Sequence, residues 1–589
     1  MTEHDNPFLS RGLDYYKATM SQVEFEKTPD ETVTFALKNR SPQRLSDYCS
    51  PDELRARLDE LRGGWRPEEI AYLASLVNQV DAAAQFRPEF LDYLLDSELP
   101  PVEINLDERG DLSVRTTGPA PLVTFWETVI MSEINEIYFR NKCAQTGTSL
   151  DELYAEGDRR LDAKIARLQL RPDIRFSDFG TRRRFSYEWQ QHVIERLARE
   201  LPDNFTGTSN IYLAHTLGLK PIGTFAHELP MIYAGLADGD GDPPLYGHHR
   251  VLDDWQSIYR GDLSTALTDT FGSEFFFDDV DPEHIAQWQA LRHDSGDPFD
   301  FGERVIEVYE RHDIDPTTKT IVFSDGLDID QIIALADYFN GKIQLMFGWG
   351  TTLTNDLGLT PNNFVMKAVA VNNIPTVKLS DVEGKHTGPP EVVERYIEAV
   401  KTVRAMGASA WQALCREADQ RRAEAAAQRE QLWHDGPNYT ADAVIINGDR
   451  VRLIWRAKDQ MWALPGGFVD ESEDSLSAAR REAMEECHAL LNTGDLVYRG
   501  RVDDPRTSRT RWIETDAYLF LTEQEDGQAG DDANDICWAQ LDNLPPLYGS
   551  HREIIAQAVA ELARRQELVR HEDQWYAGIS LETAHPRTV

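Results

Sequence analysis

TIVFSDGLD, residues Thr320 to Asp328, holds in one short segment the design of most of the chain. A β-prone run breaks into Ser-Asp-Gly and is followed by a helical pattern. The same design occurs in IRFSDFGTRRR (Ile174 to Arg184), KPIGTFAHE (Lys220 to Glu228) and QLMFGWGTT (Gln344 to Thr352). Strands alternating with helices predict a parallel sheet, and an α/β barrel is the closed form of such units. In a barrel the loops after the strands converge, so polar residues at several strand ends predict one shared active site.

Working outward, residues 1–165 mix helical patterns with short strands and read as an N-terminal α+β domain packed on a barrel of residues 166–410. Its best-marked helices are expected around Pro51 to Arg62 and Thr124 to Cys143. WQALCREADQRRAEAAAQREQLW (Trp411 to Trp433) is polar and helix-forming, and the HDGPNY after it breaks a helix, so 411–436 reads as a helical linker. A new pattern begins at TADAVIINGDRVRLIWR, where two alternating runs flank Asn447-Gly448-Asp449, a strong hairpin signal. This second domain spans 437–570, with a tail at 571–589.

At 589 residues more than one core is expected, and 41% hydrophobic residues suffice for ordinary cores. The 101 acidic residues outnumber the 60 basic ones, for a formal charge of -41. Such a field repels nucleic acid and anionic membranes, and equally repels phosphates. A phosphate site here must therefore gather its own arginines, lysines, backbone N–H groups or metal. Five scattered cysteines without a CxxC pair argue against disulfides and structural zinc. There is no apolar signal segment and no run of about 20 apolar residues, so a cytoplasmic protein is expected.

The strand ends offer the right residue types. Gly350 and Thr351 are small enough for backbone N–H groups to approach a phosphate. Asp294 and Asp325 suit ribose hydroxyls or a magnesium-bound diphosphate. Arg182, Arg183, Arg184 and Arg292 supply positive charge. His227 stands beside Glu228, a carboxylate placed to orient the imidazole or raise its basicity.

Seven segments in order resemble the nicotinate phosphoribosyltransferase family: LDYYKATM from Leu13, FGTRRRFS from Phe179, FTGTSN from Phe205, GTFAHE from Gly223, RHDSGDP from Arg292, FSDGLD from Phe323 and FGWGT from Phe347. The resemblance implies a type II phosphoribosyltransferase fold, an irregular α/β barrel plus N-terminal domain, working as a homodimer with shared active sites. It implies transfer of a phosphoribosyl group from phosphoribosyl pyrophosphate to nicotinate, with ATP as co-substrate through a phosphohistidine at His227. Phe179 would stack on the pyridine and Arg182 would hold its carboxylate, with Arg183 and Thr224 also lining the site. Tyr16 would come across the dimer interface. Arg292, Asp294, Asp325, Gly350 and Thr351 would hold the phosphoribosyl group. Two positions depart from the familiar pattern, Gly326 and Trp349, and Gly326 resembles the nicotinamide-using relatives.

In the second domain, Leu476, Ala479, Ala483 and Cys487 share one face of a helix expected over Ser475 to Cys487, while Glu482, Glu485 and Glu486 share another. Three carboxylates within one turn repel each other unless a cation sits among them. The spacing from Gly467 through Glu473 and Arg481 to these glutamates resembles the Nudix box. That resemblance implies an α/β/α sandwich that binds Mg2+ or Mn2+ through Glu482, Glu485 and Glu486, with Arg481 orienting them and Glu473 bracing the loop. TADAVII, WALPGGFVDE and RVDDPRTSRTRWIETDAYLF look like the ADP-ribose-cleaving branch. His488 replaces the glycine that normally ends this helix, so the helix is expected to continue toward Gly494. The reading is therefore a bifunctional NAD-salvage enzyme: nicotinate mononucleotide synthesis and hydrolysis of ADP-ribose or a related nucleoside diphosphate derivative. The alternative is a nicotinamide-using transferase whose Nudix domain senses ADP-ribose or NAD without cleaving it.

Overall fold

Thr320–Phe323 lies within a six-stranded sheet whose order is Phe205–Thr208, Phe176–Asp178, Gln344–Trp349, Thr320–Phe323, Ala290–His293, Thr265–Leu267. Every neighbouring pair is parallel. The computed structural model describes residues 8–279, 282–382, 385–432, 436–456, 461–470, 473–502, 511–523 and 533–564. The expected tail, 571–589, lies outside them. The chain divides into two compact units between Ala418 and Asp419.

The expected strand over Lys220 to Glu228 does not form. Pro221 makes one isolated parallel bridge to Thr208, Ile222 donates to the Thr208 carbonyl at 2.9 Å, and the chain then runs without strand pairing to His227, where the helix Glu228–Gly239 begins. Pro221 has no N–H to give a ladder. A Cβ on Gly223 would lie 2.9 Å from the Tyr16 nitrogen, so this segment packs on a helix backbone instead of a strand. On its other side the Thr224 hydroxyl donates to the carbonyl of Thr265. The segment thus fills the gap between the two edge strands, and the barrel is irregular at this stave.

The N-terminal layer is a five-stranded antiparallel sheet, ordered Ile374–Pro375, Phe364–Val371, Thr32–Asn39, Leu112–Pro119, Val102–Leu106. Two of its strands come from beyond the barrel, a return that local patterning could not announce. Helices form where read, at Pro51–Leu61 and Trp126–Thr146. The latter has no glycine or proline along its length and ends on Gly147 in the left-handed conformation, φ 71°. Helix Tyr15–Lys27 starts after Asp14, whose carboxylate does not cap it. It accepts instead from Ser209 Oγ at 2.6 Å, tying the helix to the barrel rim.

In the second unit, Gly436–Asn447 and Arg450–Arg456 form the expected hairpin, with Gly448 at φ 61°. They belong to a seven-stranded mixed sheet in which Gly436–Asn447 runs parallel to Arg511–Leu521. Alternation along this strand divides the interior. Ala441, Ala443 and Ile445 pack with Ala479, Ala483 and Cys487 of helix Ser475–Cys487. Val444 and Ile446 pack with Ile554, Ile555 and Leu562 of helix His551–Arg564. Two helices on opposite faces of a sheet make the α/β/α sandwich. The helix does not continue to Gly494. It ends at Cys487, and His488 itself takes the left-handed conformation, φ 53°, ψ 33°. The N–H groups of His488 and Ala489 satisfy the Met484 and Ala483 carbonyls, and these bonds close the end despite the side chain.

Candidate active sites

His227 immediately precedes helix Glu228–Gly239 and is surrounded by strand ends. Its Nε2 lies 2.9 Å from Asp294 Oδ2 and 2.7 Å from Lys378 Nζ, and its Nδ1 lies 3.1 Å from Thr270 Oγ1. Asp269 is 3.7 Å from Nε2. Asp294 is held in turn by Arg292, at 3.1 Å, and by Ser324, at 3.0 Å. Against the opposing effect of burial, Arg292 and then His227 keep the Asp294 carboxyl well below its ordinary range. Burial and, after it, the Lys378 ammonium push the His227 pKa down from 6.5. The expectation that Glu228 orients or activates His227 is corrected. Glu228 turns away to bond Lys17 and Thr124, and the carboxylates at the imidazole are Asp294 and Asp269. His227, Asp269 and Asp294 could by donor type ligate a metal. Lys378, 2.7 Å from His227 and 3.3 Å from Asp269, already puts a cation there.

Arg182 lies in the short turn Thr181–Arg183 after its strand. Its NH1 donates to Tyr16 Oη at 3.1 Å and to Glu127 Oε1 at 3.0 Å. Tyr16 therefore meets Arg182 of its own chain. Tyr15 N–H bonds the Ser209 carbonyl at 2.6 Å and fixes the start of that helix on the barrel. Phe179 is half-buried on Gly348, where a Cβ would come 2.5 Å from its ring. Arg183 packs over Phe364, and burial with Arg182 and Arg40 nearby lowers it to about 10. Arg184 does not join them. It is 1% exposed and bonds the Arg11 carbonyl and Gln190 in the interior. The Thr224 hydroxyl is spent on the barrel closure. Asp325 lies at the next strand end, raised by burial and by Asp294, with Lys385 at 3.8 Å. Gly350, with ψ −109°, turns the chain into Thr351 after its strand.

Lys378, Asp269, Thr270 and Lys367 were not read from the sequence. Asp269 and Thr270 follow strand Thr265–Leu267 in ALTDT, another instance of the strand-then-Asp design, so that signal existed. Lys367 projects from the N-terminal sheet, its Nζ 2.9 Å from Thr387 Oγ1. Burial, then Lys378 and Arg40, lower it to about 7. No local pattern marks it, because the strand that carries it returns from beyond the barrel.

The second site is built on helix Ser475–Cys487, capped by Asp474. Arg481 binds the Phe468 carbonyl at 2.9 Å and Glu473 at 3.0 Å, while its NH1 reaches Glu482 at 2.6 Å and Glu485 at 3.1 Å. It ties the helix to the loop before it. Glu486 accepts the Gly466 N–H at 2.9 Å, and burial, with Glu482 adding, raises it to about 8. A Cβ at Gly467 would clash with Glu482 Oε1, so the glycine is required for the carboxylate's place. Glu486 is buried, Glu482 half-buried and Glu485 exposed beside it, so three carboxylate oxygens open from one helix turn toward solvent, a donor set that suits a hard divalent cation. Glu482, Glu485 and Glu486 are the residues that would hold it.

Fold and sites together define the class, an α/β barrel for phosphoribosyl transfer joined to a Nudix-type sandwich. The sequence matches the nicotinate phosphoribosyltransferase (NAPRTase) family over residues 174–418 and that family's N-terminal domain over 13–135. It matches the NUDIX domain over 436–558. The structure of nicotinate phosphoribosyltransferase from Porphyromonas gingivalis is 30% identical and has a TM-score of 0.60, covering 67% of this chain and 100% of that one. The enzyme from Vibrio cholerae is also 30% identical, with a TM-score of 0.58, covering 68% of this chain and 95% of that one. The chain belongs to the nicotinate phosphoribosyltransferase family and carries a C-terminal NUDIX domain. Among the described residues no helix is long and apolar enough to cross a membrane.

Proposed function

We propose that the barrel makes nicotinate mononucleotide from nicotinate and phosphoribosyl pyrophosphate, driven by ATP through phosphorylation of His227 in the cytoplasm. The observation that carries this is the bracketing of His227 Nε2 by Asp294 and Lys378. Thr270 holds Nδ1 while Nε2 faces Asp294 and Lys378, so a phosphoryl group arriving at Nε2 meets an ammonium, and Asp294 is placed to take the ring proton. The new N–P bond forms as the bond to the β-phosphate oxygen breaks, ADP leaves, and water later releases phosphate. Arg292, Asp294, Asp325, Gly350 and Thr351 hold the phosphoribosyl group, with Arg183 adding charge and Lys367, lowered to about 7, able to take up a proton when a phosphate arrives. Transfer at the anomeric carbon needs positioning and neutralisation more than a protein nucleophile.

Phe179 stacks on the pyridine and Arg182 binds its carboxylate. The identity of Gly326 is no argument for nicotinamide. Its φ is 62°, a conformation that glycine and asparagine share, so the residue reports on the backbone. A homodimer with shared active sites belongs to the proposal.

The second domain hydrolyses ADP-ribose or a related nucleoside diphosphate derivative. Mg2+ or Mn2+ held by Glu482, Glu485 and Glu486 would polarise the diphosphate and activate water. From ADP-ribose and water the products are AMP and ribose 5-phosphate, a precursor of the barrel's co-substrate. One set of incubations tests the whole proposal. The purified chain is given nicotinate and nicotinamide in competition with phosphoribosyl pyrophosphate and ATP, and separately ADP-ribose with magnesium or manganese. Nicotinate should be consumed first with matching ADP release, and His227→Ala should retain transfer while losing its ATP dependence. Preference for the amide, unchanged ATP stimulation in that variant, or intact ADP-ribose would each remove the corresponding part.

A further inference from the structure

Behind Arg182 the barrel and the N-terminal layer share an alternating chain of charges. Arg182 NH1 meets Glu127 Oε1 at 3.0 Å, and Glu127 Oε2 meets Lys17 Nζ at 2.5 Å. Lys17 also bonds Glu228, and Thr124 bonds both Lys17 and Glu228. Lys17 is fully buried, and Glu127 and Glu228 are nearly so. Against burial, Lys17 and then Arg182 hold the Glu127 carboxyl below its ordinary value.

Arg182 differs from the rest. Its side chain is 32% exposed, and its contacts with Glu127 and Tyr16 are both made by NH1. The opposite edge of the guanidinium, Nε and NH2, makes no hydrogen bond among the described residues. That edge has the two parallel N–H groups that fit a carboxylate bidentately. Asp294, which bonds His227, also adds to the field at Arg182, after Tyr16, Glu127 and Asp14.

We propose that Glu127, itself held by Lys17, is the residue that selects the acid over the amide. It clamps one guanidinium nitrogen so that the remaining edge of Arg182 stands fixed for the pyridine carboxylate. Glu127 touches no substrate and acts by position. The proposal rests on Arg182 as the carboxylate partner. Without the clamp the long side chain regains its rotamers, and ordering it on binding costs about tenfold in affinity for the acid. A neutral amide makes weaker use of the guanidinium and loses less, so discrimination narrows.

The test measures kcat and KM for nicotinate and for nicotinamide in the full-length protein, its Glu127→Gln and Glu127→Asp variants, and Arg182→Met. Glu127→Gln should raise KM for nicotinate about tenfold, leave kcat within about threefold and narrow the acid-to-amide ratio, with Glu127→Asp recovering part of it. A loss in kcat alone, or an unchanged acid-to-amide ratio, overturns the proposal. Should Glu127→Gln fail to fold, the ratio in Glu127→Asp decides by the same criterion. If Arg182→Met keeps the preference for nicotinate, the reading of Arg182 itself fails. If Arg182→Met loses that preference while both Glu127 variants keep it, only the role of Glu127 fails.

Discussion

His227 carries one ring nitrogen between a carboxylate and an ammonium, and its pKa is lowered by burial first and Lys378 second. The charged imidazolium is the form these causes disfavour, so the neutral form persists to lower pH than in an ordinary histidine. ATP-coupled turnover should therefore stay level from pH 8 down through 6.5 and fall only on the acid side of the ordinary histidine value. Lys378→Met removes one of the two causes and should move that acid limb to higher pH. An acid limb already at 6.5 in the unaltered protein would mean that burial does not govern this group. The linkage has the same sign. The folded state binds fewer protons here than the unfolded chain, so stability contributed by this site is lost as pH falls through 6.5. Of the residues around it, Arg292 and Asp294 were legible because they stand at a strand end, and His227 because of its motif, although the strand expected before it does not form. Lys378 and Glu127 were not, since a single buried lysine or glutamate has no local signature. Glu228 was misread for the converse reason, because adjacency in sequence at a helix start sends consecutive side chains in different directions.

At the level of the element, the helix Ser475–Cys487 was read with its bounds and its two faces, because amphipathic period and carboxylate spacing are both local. Its end was not, since whether a helix stops depends on what satisfies its last carbonyls. His488 stops it in a conformation that costs a residue with a Cβ about 1 kcal/mol. His488→Gly should therefore raise stability by up to about 1 kcal/mol in chemical denaturation. Hydrolase activity should be unchanged, because Glu482, Glu485 and Glu486 precede the cap. A destabilised glycine variant would show that contacts of the histidine ring outweigh the strain. The Lys220 to Glu228 segment carries the opposite lesson. Its apolar residues suggested a strand, but Pro221 and the close approach at Gly223 decided the backbone.

On the scale of the molecule, a chain of charge -41 places two anion-handling sites in separate units and neutralises each locally. The barrel does so with Arg182, Arg183, Arg292 and Lys378, while in the sandwich Arg481 bonds Glu473, Glu482 and Glu485, and the proposed metal would add the remaining positive charge. The parallel sheet and the sandwich were legible because each repeats a local period, whereas the return of Phe364–Val371 to the N-terminal sheet is a long-range pairing no window contains. The cores are also separate, one set of apolar residues ending by Ala418 and the other beginning at Ala441. Calorimetry of the full chain should then show two unfolding transitions, which a single cooperative core would not allow. Magnesium or manganese at about a hundred times its Kd should raise only the transition of the sandwich, by about 10 °C. Glu486→Gln should abolish that rise and leave the other transition in place. A single transition, or a metal shift that survives Glu486→Gln, would show that the cation is bound elsewhere or that the units do not unfold independently.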